Sequence, residues 1–177
     1  MLFAISARGA LDSEKNFREM KDIIDRVITK YGIGKIQYSF VVFGSTPAVR
    51  LTFTRPVNDE QLRGILQQTQ RSVGASLKDT LKRAERIFDA SPRPNAKRVL
   101  VLVMDKRSDN RLDDVKLSAE SLWRSGVKVI PVAFGREAAQ DEMEATTSEE
   151  DNLIDVRDTS NPDQVAQEIM EKVLEGR

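Results

Sequence analysis

The chain contains no cysteine and no histidine. Without cysteine it can form neither a disulfide nor a zinc–thiolate site, and it has no thiol nucleophile. Without histidine it lacks the usual general base, a common transition-metal ligand and the centre of every serine–histidine triad. These absences argue against a hydrolase. They say little about compartment, because a domain of this size can be secreted without disulfides.

Net charge and long apolar runs are missing as well. The 28 acidic and 28 basic side chains cancel, which gives no global electrostatic argument for nucleic acid or for an acidic membrane. No apolar run approaches the length of a membrane span. Residues 1–5 lack a basic start and are too short for the apolar core of a secretory signal, so we expect no signal peptide in this chain.

The patterns that are present alternate between strand and helix over 177 residues, the size of one domain. We predict strands at residues 2–5, 35–43, 49–53, 98–104, 127–134 and 153–156. Apolar residues at three- and four-residue spacing predict amphipathic helices between most of them. Strands 35–43 and 49–53 form a hairpin, and the half-polar second strand belongs at an edge. The predicted fold is a Rossmann-like, doubly wound α/β domain with a mainly parallel six-stranded sheet, one antiparallel edge strand and helices on both faces.

The strand at 98–104 is central to this prediction. Its residues after Arg98 are all apolar, which is typical of a strand buried on both faces of a parallel sheet. It ends on Asp105. Because open α/β sheets bind ligands at the carboxyl ends of their strands, Asp105 is the first candidate site residue.

In combination, several segments resemble the von Willebrand factor type A domain. They are a small-residue loop after the first strand, Asn16-Phe17 opening an amphipathic helix, the 38–44 strand with its hairpin, the central strand with Asp105, and the 126–135 strand. The resemblance covers residues 2–174 and implies one such domain over 1–177. Among its members the chain is most similar to the extracellular-matrix type found in collagen VI and matrilins, which implies a secreted or matrix location.

The family has a metal-ion-dependent adhesion site (MIDAS), usually holding magnesium. Its motif is Asp-x-Ser-x-Ser after strand one, a threonine in a second loop and an aspartate after the central strand. On this chain, Ser6 takes the aspartate position, Arg8 the first serine position and Ala10 the second. No aspartate precedes Leu11, so no shift of register restores the motif.

In the second loop Ala75 takes the threonine position, although a one-residue shift places Ser76 there. Asp105 alone matches the motif. We therefore expect a degenerate MIDAS with no cofactor and no bound metal, and we expect Arg8 or Lys106 to pair with Asp105 as its counter-charge. Any residual metal site would use Asp105 and Ser6.

The resemblance implies a non-enzymatic, metal-independent protein-interaction or adhesion module. Its partners would be matrix proteins or neighbouring A domains. The alternative is a magnesium-dependent receptor that binds collagen or another acidic ligand through Asp105. Further candidate loop contacts are Ser76, Lys106, Arg107 and Ser108.

Two other functions have less support in the sequence. An enzyme could use the acidic group Asp105, Asp109, Asp113 and Asp114, but a solvated loop and helix start explain these acids more simply. No phosphate-binding loop or dinucleotide fingerprint is present. A basic group could bind glycosaminoglycans weakly, and it comprises Arg83, Arg86, Arg93, Lys97 and Arg98.

Overall fold

A computed structural model describes residues 1–7, 13–156 and 161–175, in which six strands alternate with helices. The strands are β1 Leu2–Ser6, β2 Ser39–Val42, β3 Ala48–Leu51, β4 Arg98–Met104, β5 Val127–Phe134 and β6 Ile154–Val156. The α-helices are α1 Ser13–Tyr31, α2 Asp59–Gln68, α3 Leu77–Asp89, α4 Leu112–Arg124, α5 Gln140–Thr146 and α6 Pro162–Leu174. A 3-10 turn, Glu150–Asn152, precedes β6.

The strands form one sheet in the order β3-β2-β1-β4-β5-β6. All neighbouring pairs are parallel except β2 and β3, which are antiparallel. The predicted fold class is confirmed, including the antiparallel edge strand and the central place of β4. Because β1 and β4 are neighbours, Ser6 lies opposite Met104 at the carboxyl end of the sheet.

Successive side chains of the central strands enter different cores, as the pleat of a strand requires. Phe3, Val101 and Val103 pack in a core that includes apolar residues of α1, α2 and α6. Leu100 and Leu102 pack in a second core that includes residues of α3 and α4. Burial on both faces explains why β4 reads as a continuous apolar run.

The predicted hairpin differs from the structure in its limits. The strand predicted at 35–43 spans only Ser39–Val42, because pairing begins where Ser39 meets Leu2 of β1 and the preceding residues have no strand beside them. The strand predicted at 49–53 is displaced to Ala48–Leu51. Phe53 lies beyond this ladder, where its ring packs at 5.4 Å from that of Phe88.

Two helix starts are capped by asparagine side chains. The Asn58 side chain accepts the backbone N–H of Gln61, and the Gln61 side chain accepts that of Asn58 in return, which completes a capping box on α2. Asn161 accepts two backbone N–H groups at the start of α6, whose first residue is Pro162.

No helix in the described ranges has the length and hydropathy that a membrane span requires.

Candidate functional site

Asp105 lies immediately after β4 at the carboxyl end of the sheet, where 1% of its surface is exposed. Its backbone N–H donates to the carbonyl of Ser6 at 3.3 Å, which extends the β1–β4 pairing by one step. Its carboxylate Oδ2 accepts the side-chain amide of Asn16 at 3.0 Å. Asp105 is therefore a buried acid held between the end of β1 and the first turns of α1.

Gly135 follows β5 and lies beside this pair. Its φ of +78° is in the left-handed region that favours glycine. A Cβ at this position would lie 3.3 Å from Asn16 Nδ2 and 3.9 Å from Asp105 Cβ. The glycine thus lets the end of β5 approach the Asn16–Asp105 hydrogen bond.

The second loop of the motif lies between α2 and α3 and contains Ala75, which is fully buried. Ala75 connects it to the loop after β4. The Ala75 N–H donates to Asp109 Oδ2 at 3.0 Å, and the Asp109 N–H donates to the Ala75 carbonyl at 2.9 Å. Ser76 caps α3: its hydroxyl donates to Asp79 Oδ2 at 2.6 Å and accepts the Asp79 N–H at 3.3 Å. In this loop the serine hydroxyl is therefore already bonded to a carboxylate.

The loop after β4 is also tied to α5 and the segment before it, through three consecutive residues. Lys106 Nζ lies 3.5 Å from Glu137 Oε2. Arg107 forms an ion pair with Asp141. Ser108 bonds to Glu142, and the three contacts together make the loop and the segment 137–142 a single structural unit.

Glu142 is a fully buried carboxylate. Its Oε2 accepts the backbone N–H of Ser108 at 2.8 Å, and its Oε1 accepts the Ser108 hydroxyl at 2.5 Å. A buried charge is costly unless donors compensate it, and Ser108 supplies two. This pair determines where the loop lies relative to α5.

The Arg107–Asp141 pair lies near the surface above this contact. The hydrogen bond from Arg107 lowers the pKa of the Asp141 carboxyl below its ordinary value. The same bond raises the pKa of Arg107. The pair strengthens the link between loop and helix, although solvent screens exposed ion pairs of this kind.

The structure brings some of the predicted site residues together and separates others. The Ser6 carbonyl accepts the backbone N–H of Asp105, and the backbone of Ala75 is hydrogen bonded to Asp109 in the loop after β4. Lys106 has Glu137 as its described ion-pair partner rather than Asp105. Arg8 and Ala10 lie outside the described residues, and so does the predicted pairing of Arg8.

Sequence reasoning missed two residues. Asn16 contributed to the family resemblance, but no contact with Asp105 was assigned to it. Glu142 is not among the predicted site residues. Its signal is the four-residue spacing of Glu142 and Thr146, which places the acid on the buried side of α5.

The von Willebrand factor type A domain model matches residues 9–171. The chain belongs to this family. The proximal thread matrix protein 1 of the mussel byssus has the same fold, with a TM-score of 0.83, 17% identity, and 97% of this chain aligned to 46% of that one. One structure of the mussel protein has a zinc-occupied MIDAS motif.

Two bacterial structures also share the von Willebrand type A fold. The domain from Catenulispora acidiphila gives a TM-score of 0.76 at 16% identity, covering 97% of this chain and 41% of that one. An aerotolerance-related membrane protein from Bacteroides fragilis gives 0.73 at 15% identity, covering 97% and 96%. The chain thus spans less than half the length of the mussel and Catenulispora chains, and identities this low concern the fold alone.

Two of the three motif positions that the structure describes, Ser6 and Asp105, carry a side-chain oxygen, and the third, Ala75, does not. Magnesium requires an octahedron of oxygen ligands. Asp105 Oδ2 already accepts the Asn16 amide, Ala75 has no side-chain oxygen, and the Ser76 hydroxyl donates to Asp79. No group of three acidic side chains in the described ranges is arranged to hold a metal ion.

The basic group proposed for glycans lies away from this pole. Lys97 Nζ donates to the carbonyls of Val173 at 2.7 Å and Glu175 at 2.5 Å, at the end of α6. Arg98 pairs with Asp89 at 3.3 Å. Two of its five basic side chains therefore have structural partners.

Proposed function

We propose that this von Willebrand type A domain is a non-enzymatic protein-interaction or adhesion module of a matrix or cell-surface protein, and that it binds its partner without a resident metal. The observation that carries the proposal is the set of bonds around Asp105, in which an Asn16 amide hydrogen bonds to the carboxylate and the second loop presents the side chain of Ala75. A buried, hydrogen-bonded acid stabilises the loops around it. Those loops can then adopt shapes that metal coordination would not allow.

The structural roles of the acidic side chains near Asp105 support a non-enzymatic function. Asp109 accepts the Ala75 N–H and Glu142 accepts both donors of Ser108, so these carboxylates hold loops together. The sequence also contains no histidine or cysteine to act as base or nucleophile.

The proposed contact surface is the pole formed by the described loops at the carboxyl ends of β2, β4 and β5. Val73 lies there with 87% of its surface exposed, because the 69–76 loop bonds back to Ser45 and Gly44 through its backbone. Arg111 and Arg136 are exposed on the neighbouring loops. An exposed apolar side chain near cationic side chains suits a protein partner with an apolar contact and acidic neighbours, such as a matrix protein or another A domain.

The metal part is tested by calorimetry and thermal unfolding of the domain in magnesium, in manganese and in chelator. We expect no saturable heat of metal binding and the same midpoint in all three conditions. A saturable heat that disappears in Asp105→Asn would overturn metal independence and favour the magnesium-dependent alternative.

The interaction part is tested with immobilised collagen and with the domain itself as probes. Val73→Asp and Arg136→Glu should weaken the binding of whichever probe is bound. Leu117→Asp, at a position on α4 that is 66% exposed, is the matched control and should leave binding unchanged. Equal loss in all three variants would contradict the assignment of the surface.

A further inference from the structure

A cleft among the described residues lies at the opposite end of the sheet from Asp105, with a volume of about 1150 Å³. It is bounded by the segments that precede β2 and β4, the turn before β5 and the end of α6. Apolar side chains form much of its lining, among them Ile36, Phe53, Phe88, Val99, Met170 and Val173. The residues named for the proposed adhesion surface do not line this cleft.

Hydrogen bonds and ring packing hold its walls. Lys97 ties the segment before β4 to the last turn of α6 through the Val173 and Glu175 carbonyls. The Gln37 side chain donates to the carbonyl of Phe53 at 3.3 Å, which joins the segment before β2 to the residues after β3. The cleft is therefore formed by tethered segments, as pre-formed ligand sites generally are.

The charged residues that line the cleft are all basic: Lys35, Arg93, Lys97 and Arg98, with no acid among the lining residues. Arg98 pairs with Asp89, and Lys97 bonds to helix carbonyls. Lys35 and Arg93 are exposed, and neither forms an ion pair with another described residue. The cleft thus combines an apolar lining with two basic side chains whose charge is available to a ligand.

We propose that this cleft binds a small amphiphilic anion, a single aliphatic chain ending in a carboxylate. The chain would lie against the apolar lining, because removing apolar surface from water is favourable without regard to direction. The carboxylate would lie at Arg93 and Lys35, where a guanidinium can hold it with two parallel hydrogen bonds. The absence of lining acids selects against a cationic amphiphile, whose head group would meet only like charges.

The experiment is a calorimetric titration of the folded domain with three probes that share a ten-carbon chain: decanoate, decanol and decyltrimethylammonium. We expect saturable binding of decanoate, weaker binding of decanol and no binding of the cation. In the double variant Lys35→Glu, Arg93→Glu, the affinity for decanoate should fall by about ten-fold or more, since both attractive charges are reversed.

Two controls separate this site from general surface effects. The double variant Arg111→Glu, Arg136→Glu makes the same charge change at the other pole and should leave decanoate affinity unaltered. Ala96→Trp places a bulky ring at an exposed lining position and should weaken decanoate and decanol alike, with the unfolding midpoint unchanged.

Three results would overturn the proposal. They are the absence of saturable decanoate binding, equal affinity for the anion and the cation, and decanoate affinity that survives charge reversal at Lys35 and Arg93. These results are independent of the test of the adhesion surface, because neither Val73 nor Arg136 lines the cleft.

Discussion

Ser108 gives both of its donors to one buried carboxylate: its backbone N–H lies 2.8 Å from Glu142 Oε2 and its hydroxyl lies 2.5 Å from Oε1. The two residues come from different elements, the loop after β4 and helix α5. Because Ser108 lies three residues after Asp105, this contact fixes the path of the loop that leaves the candidate site.

Glu142→Ala should destabilise the domain by about 3 kcal/mol, because it leaves two buried donors of Ser108 without an acceptor. The measurement is the free energy of unfolding in urea. Glu144→Ala is the matched control on the same helix. Glu144 is exposed and accepts the Gln140 side chain, so its loss should change stability by less than about 0.5 kcal/mol. Equal effects of the two variants would show that the Ser108–Glu142 contact contributes little.

Asn16→Ala should destabilise the fold by about 2 kcal/mol, the typical value for a hydrogen bond to a charged group. The reason is that the buried Asp105 carboxylate loses the amide at 3.0 Å. The control is Lys15→Ala, which removes only an exposed pairing with Glu19 at 3.9 Å. In an Asp105→Asn background the cost of Asn16→Ala should shrink. An undiminished cost would mean that Asn16 acts through other contacts.

Gly135→Ala and Gly64→Ala should have opposite effects on stability. A methyl group at position 135 meets the Asn16 amide at 3.3 Å on a backbone of positive φ, so a cost of about 1–3 kcal/mol is expected. Gly64 lies inside α2 with nothing within 4 Å of a built Cβ, so alanine should stabilise that helix by up to about 1 kcal/mol. Thermal unfolding of the two variants checks the signs.

Asp141 should titrate below the usual range for an aspartate, and Arg107→Gln should bring its pKa back up. Carboxyl chemical shifts followed by NMR against pH measure both. A carboxyl whose folded pKa is lowered stabilises the fold above its unfolded pKa, and that stability is lost as pH falls through the folded pKa. The contribution should therefore be present at neutral pH, vanish in acid and weaken in high salt, because the pair is exposed. A pKa that is the same in the variant would contradict the pairing.

The predictability of the fold follows from periodicity. The spacing of apolar residues indicates how many faces each element buries, as in the continuous apolar run of β4, the alternation of β3 and the helical spacing of α1. This spacing can be read from neighbouring residues in the sequence alone. The limits of the hairpin were less predictable. Strand β2 begins at Ser39 only because Leu2 lies opposite, and that pairing joins residues far apart in the chain.

The sequence by itself determined the α/β architecture and the position of Asp105 at the end of a central strand. Tertiary structure decided which groups surround that acid and which surfaces remain. Asn16 reaches Asp105 across 89 positions of sequence, Glu142 reaches Ser108 across 34, and the cleft beside Arg93 is lined by segments from both ends of the chain. The physical reason is that periodicity reports whether a side chain is buried, whereas its hydrogen-bond partner is fixed only when separate elements pack together.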